Sequence, residues 1–106
     1  MSEVRTDPVV AIYIPDKKDF REGIKGMVPG SFRVGQPDED GEQLFWYCCP
    51  CGCGRVGGLN VGTNFKPATG PSWNWNGSLE TPTLSPSVHH VGHWHGWLAD
   101  GVWKSC

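Results

Sequence analysis

The chain has 106 residues and a net charge of −2, with nine Lys and Arg scattered along it. That suits one domain with a thin hydrophobic core, and it excludes nucleic-acid recognition through a basic face. Hydrophobic content is only 38%, against 15 glycines and 9 prolines, a mix that argues for short strands, many turns and a metal staple.

In chain order, PVVAIYIP (8–15) reads as a β-branched first strand bounded by proline. The next segment, Asp16 to Met27, is the one credible helix, with Asp16 as cap and Phe20, Ile24 and Met27 on one face. A turn at Val28-Pro29-Gly30 leads to a short strand, SFRV (31–34), and an acidic surface loop, QPDEDGE (36–42). QLFWYC (43–48) then enters the cysteine turn and RVGGLNV (55–61) leaves it, predicting a hairpin with that turn at its tip.

After a polar loop comes Trp73-Asn74-Trp75-Asn76-Gly77, where Asn-Gly is the strongest hairpin turn signal in the chain. TPTLSPSVHH (81–90) is extended, because its prolines forbid a central strand position. WHGWLADGVW (94–103) predicts a last hairpin turning at Asp100-Gly101. The expected architecture is all-β, with at most one short helix: a small twisted sheet or compact β-sandwich, residues 1–106 forming one zinc-binding domain.

The richest chemistry lies in CCPCGCG (48–54), four of the five cysteines within seven residues. Cysteines this close form a disulfide only with strain, but they can share one ion. Zinc is therefore the expected cofactor. Cys49, Cys51 and Cys53 are the preferred thiolates, with Cys48 left out because it continues the preceding strand. Free thiols without metal are the plainer reading, disfavoured because clustered exposed thiols oxidise readily.

Downstream lie His89, His90, His93 and His95. In an extended segment His93 and His95 share a face and complete the candidate ligand set, while His89 and His90 read as solvated strand ends. Cys106 is a further possible donor or a frayed end. Trp73, Trp75, Trp94, Trp97 and Trp103 crowd the last third. They are expected to build the core, with an exposed binding platform as the alternative.

CPCGCG at 49–54, WNWNG at 73–77, TPTLSPS at 81–87 and HWHGWLADGVW at 93–103 together resemble a family of small phage and prophage proteins. Some of its members carry an ammonia monooxygenase label that nothing in this chain supports. The resemblance covers about the last sixty residues and implies a phage-borne accessory protein. It places Cys49, Cys51 or Cys53, and His95 at ligand-like positions. Many relatives have a cysteine beside that histidine where this chain has Trp94. That leaves the fourth ligand to His93, a third cysteine of the turn, or Cys106.

The leading functional expectation is thus a non-enzymatic, zinc-stabilised accessory protein acting by protein contact, on a host factor or in the virion. No apolar stretch approaches membrane-spanning length, and MSEVRTDP lacks the build of a secretory signal. No membrane partner is expected, and the location is the host cytosol or the virion. The odd cysteine count suits a reducing compartment. The rival is a metal-dependent hydrolase with an open position, in which His93 or His95 binds the ion and Asp100 or Glu80 acts as base.

Overall fold

The computed structural model describes residues 5–16, 20 and 28–106. Its named elements are all strands: β1 (Val9–Val10), β2 (Ile12–Tyr13), β3 (Ser31–Val34), β4 (Glu42–Cys48), β5 (Val56–Thr63), β6 (Trp73–Trp75), β7 (Leu84–Ser85), β8 (Val88–His90), β9 (Trp94–Ala99) and β10 (Val102–Ser105). The fold is all-β, as the composition requires. The helix expected over Asp16–Met27 lies almost wholly outside the described residues.

Two sheets result. The smaller has the order β1-β10-β9-β8 and is antiparallel throughout. The larger has the order β2-β3-β4-β5-β6-β7, with parallel pairs at β2/β3 and β5/β6. Their inner faces meet in one core. Phe32, Phe45, Tyr47, Val61 and Trp75 come from the larger sheet, and Val88, Trp94, Leu98 and Trp103 from the smaller.

Aromatic geometry sets this core. Phe32 and Phe45 stack with centroids 5.0 Å apart, and Trp94 meets Trp103 edge-on at 5.7 Å. Each buried indole also finds an acceptor, which a buried N–H needs. Trp103 Nε1 donates to Gly30 O at 2.9 Å, and Trp94 Nε1 to Ser105 Oγ at 2.9 Å. The tryptophans divide: Trp75, Trp94 and Trp103 are core, Trp73 is half-buried against it, and Trp97 is exposed.

Among the described residues the chain changes sheet twice. PVVAIYIP is not one strand, because it breaks at buried Ala11 into β1 on one sheet and β2 on the other. The Ala11 N–H donates to Gly101 O at 2.8 Å, a partner in the smaller sheet's last turn that local propensity cannot foresee. The second crossing is Pro86-Ser87, between β7 and β8.

Two hairpins follow expectation. β4 pairs β5 in register from Glu42↔Gly62 to Cys48↔Val56, leaving residues 49–55 as the tip. β9 turns into β10 at Asp100 and Gly101, with φ of 50° and 79°, the positive pair that a two-residue hairpin turn demands. Asn76-Gly77 instead opens a longer loop. The Asn76 Oδ1 accepts from the Ser78 and Thr83 N–H groups, both at 3.1 Å, and so organises the whole stretch between β6 and β7.

Candidate functional site

Two constellations stand at separate places in this frame. The first is the tip of the β4–β5 hairpin. The Cys49 N–H donates to Arg55 O at 2.9 Å and the Gly52 N–H to Cys49 O at 3.1 Å, closing the turn. Gly52 and Gly54 take φ of 85° and 80°, a backbone that residues with a Cβ rarely adopt.

This turn brings the Cys49, Cys51 and Cys53 sulfurs within 4.8 Å of one another. Cys49 Sγ and Cys51 Sγ are 3.3 Å apart. A tetrahedral zinc with bonds of about 2.3 Å sets sulfurs roughly 3.8 Å apart, so the spacing fits a shared ion. The burial is graded, with Cys49 in the core, Cys51 half-buried and Cys53 exposed. Burial pushes the Cys49 thiol far up. Cys53 goes the other way. Its desolvation is outweighed by hydrogen bonds from the Arg55 backbone and from the Cys51 and Cys49 thiols, which hold it below the usual thiol range. A divalent cation held by these sulfurs would displace their thiol protons. These three cysteines are close enough to bind a metal ion.

The expected histidine donors stand differently. Among the described residues, no set of three or more donors clusters within 4.8 Å except these cysteines, so His93 and His95 are not gathered with them. Cys48 is fully buried in β4. Cys106 lies across from His95, its N–H donating to His95 O at 3.0 Å.

The second constellation is on the outer face of the smaller sheet. A turn at residues 91–93, with Gly92 at φ 79° and the His93 N–H donating to His90 O, folds β8 onto β9. The register is Val88↔Gly96, His89↔His95 and His90↔Trp94. Trp94, Gly96 and Leu98 point into the core, so His95, Trp97 and Ala99 point out. His89 shares that outer face, its ring 4.6 Å from that of His95.

Ser87, one residue before β8, also reaches this face. Its Oγ lies 3.1 Å from His95 Nε2. Its carbonyl accepts the Trp73 indole N–H at 3.0 Å, which pins the crossing between sheets. A hydroxyl held on an imidazole nitrogen is the minimal arrangement for a serine nucleophile and its base. Sequence reasoning singled out His95 as a metal donor and passed over Ser87. The available signal was the short return from VHH to HWH: read as a hairpin, it sets Ser87 diagonally across from His95.

His90 faces inward. Its ring packs edge-on to Tyr47, with centroids 6.0 Å apart, and its Nδ1 is buried without a hydrogen-bond partner. The solvated-end reading therefore suits His89, which is exposed, and not His90. Burial, with His93 and Arg55 nearby, holds the His90 pKa below the usual imidazole value. Among the described residues no helix is long and apolar enough to cross a membrane.

The model of one protein family, the bacterial ubiquitination-like system serine protease (BubE), matches residues 17–106, and the chain belongs to that family. Nothing among the curated proteins or the solved structures matches it. The family corrects the expectation of a non-enzymatic phage accessory protein acting by contact alone, because its description is that of a protease. The same finding overturns the leaning away from an enzyme. That leaning rested on the few carboxylates near the candidate metal donors, a signal that bears on a metal-dependent hydrolase and not on a serine protease.

Proposed function

We propose, taking membership of that family as the premise, that the chain is a serine-type peptidase with Ser87 as nucleophile and His95 as general base. The observation that carries this reading is the 3.1 Å approach of Ser87 Oγ to His95 Nε2 on an open sheet face. As the serine oxygen adds to a substrate carbonyl, His95 Nε2 takes the hydroxyl proton. The imidazolium then returns that proton to the leaving nitrogen as the carbon–nitrogen bond breaks, leaving an acyl-serine. Water, activated by the same imidazole, adds to the acyl carbon and releases Ser87. The His89 ring against His95 restricts the imidazole's tilt. The substrate is a protein of a ubiquitination-like system, following the family's description.

In the same reading Cys49, Cys51 and Cys53 hold a structural zinc ion, with a fourth donor or water completing the tetrahedron. Such an ion ties the β4–β5 tip to the core through Cys49 and takes no part in the proton transfers. None of the five cysteines is paired in a disulfide, which fits a reducing cytosol.

The test is labelling of the purified chain with a fluorophosphonate probe, followed by mapping of the modified residue. Ser87 should carry the label, and Ser87→Ala and His95→Ala should each lose it. Peptidase activity should fall by about 10³-fold or more in both, as when a nucleophile or its base is removed. A label on another residue, or full activity in Ser87→Ala, would remove the reading.

A further inference from the structure

The outer face that carries Ser87 and His95 also carries the chain's exposed tryptophan. Trp97 is 47% exposed, while Trp75, Trp94 and Trp103 are buried. Its position follows from the strand register. The β8/β9 pairs run Val88↔Gly96 and His89↔His95, so one further step of the same ladder sets Ser87 opposite Trp97. Directly opposed residues on one face have Cβ atoms about 4.5–5.5 Å apart. Ser87, Trp97, His95 and His89 thus form a square, with the Ser87–His95 hydrogen bond as its diagonal. On the next strand Lys104 pairs with Trp97, and Val102 with Ala99, all on the same face. The indole is left uncovered beside the hydroxyl.

The direction of the reaction says which part of a substrate meets this indole. His95 must hand its proton to the leaving nitrogen, so the leaving group lies over His95. The acyl part then extends the other way along β9, over Trp97. We infer that Trp97 is the floor of an acyl-side subsite that takes an apolar side chain on the residue whose carbonyl Ser87 attacks. The inference rests on the serine-peptidase reading and adds the substrate's side-chain class. An indole face offers dispersion and apolar contact. With the acyl carbon bonded to Ser87 Oγ, that residue's side chain branches from the next carbon, its Cα, within reach of the opposite strand position. Lys104 beside the indole places a positive charge at the subsite's rim, over which an acyl-side backbone carbonyl can pass.

Three substrates separate the roles: p-nitrophenyl acetate, and the p-nitrophenyl esters of N-acetylglycine and N-acetylphenylalanine. Wild type should favour the phenylalanine ester over the glycine ester in kcat/KM by about 10-fold or more, the range that apolar pocket contacts supply. In Trp97→Ala that preference should vanish, chiefly through KM, while p-nitrophenyl acetate hydrolysis stays within about two-fold of wild type. Trp97→Phe should restore most of the preference. An unchanged phenylalanine-to-glycine ratio in Trp97→Ala overturns the subsite. Hydrolysis undiminished in Ser87→Ala would instead remove the serine reading itself, so the two failures are distinct.

Discussion

The cysteine turn and the Ser87–His95 corner are built in opposite ways. The turn is made within one hairpin tip, residues 49–55, and its three sulfurs are set by two backbone hydrogen bonds and two left-handed glycines. The corner joins a residue on a crossing between sheets to one in the middle of β9, and a third strand, β6, holds the serine's carbonyl through Trp73. In the proposed reading the local loop supplies stability, while the register between strands supplies chemistry. Damage to the first should unfold the chain, and damage to the second should silence a chain that still folds.

If the three cysteines hold a structural zinc ion as proposed, its removal has the largest expected effect. Structural zinc in small domains contributes on the order of 10 kcal/mol of apparent binding free energy, so a strong chelator, or Cys51→Ser, should abolish the near-UV circular dichroism of the buried tryptophans. Ser87→Ala should leave that spectrum intact. Native signal persisting after elemental analysis shows no metal would break the contrast at its root.

A smaller effect is expected at Gly96, which lies between His95 and Trp97. A Cβ there would run into the Lys104 carbonyl and the Trp94 ring. Gly96→Ala should cost about 1–3 kcal/mol, the usual penalty of overpacking, and should shift β9 enough to lower activity as well. Urea denaturation gives the first number and ester hydrolysis the second. A variant as stable and active as wild type would show that the register tolerates more than the packing suggests.

Trp73→Phe sharpens the comparison from the catalytic side. It keeps the aromatic body and deletes the donor to Ser87 O, a bond worth about 0.5–1.5 kcal/mol. The melting temperature should drop slightly, while kcat falls several-fold because the nucleophile's backbone loosens. Equal losses in stability and rate at Gly96 and Trp73 would indicate a purely structural role for both.

The smallest effect is with pH. His90 titrates below its unfolded value, so the unfolded chain binds more protons and stability falls as pH drops. The contribution is complete above the unfolded imidazole value near 6.5 and is lost as pH falls through the depressed folded value. His90→Gln should flatten that part of the stability curve, measured by denaturant midpoints from pH 7.5 to 5. Unaltered pH dependence would place the sensitivity elsewhere.

How much was legible in the sequence follows the same division. The hairpin around CCPCGCG, the SFRV strand and the Asp100-Gly101 turn are local signals, and the structure keeps each of them. So is the gathering of Cys49, Cys51 and Cys53. Ser87 is easily passed over because a lone serine between a proline and a valine has no local signature, and only the hairpin reading of VHH and HWH points to it. Its meaning comes from pairing eight residues away with His95. Local spacing also suggested that His93 and His95 join the cysteines, since donors of compatible chemistry attract one another on paper. The pleat turns His95 outward, toward the serine, while Trp94 fills the interior. The break at Ala11 was likewise hidden, because its cause is a carbonyl at Gly101.

The two crossings at Ala11 and Pro86-Ser87 carry a last consequence. The polypeptide is stitched between the layers at two distant points, so neither layer can open while the other stays whole. Melting should be a single concerted event, with the proposed nucleophile, Ser87, lying on the stitch itself. Hydrogen exchange at the Ala11 amide and loss of fluorophosphonate labelling at Ser87 should then follow one free energy, making turnover a direct gauge of the integrity of the whole molecule.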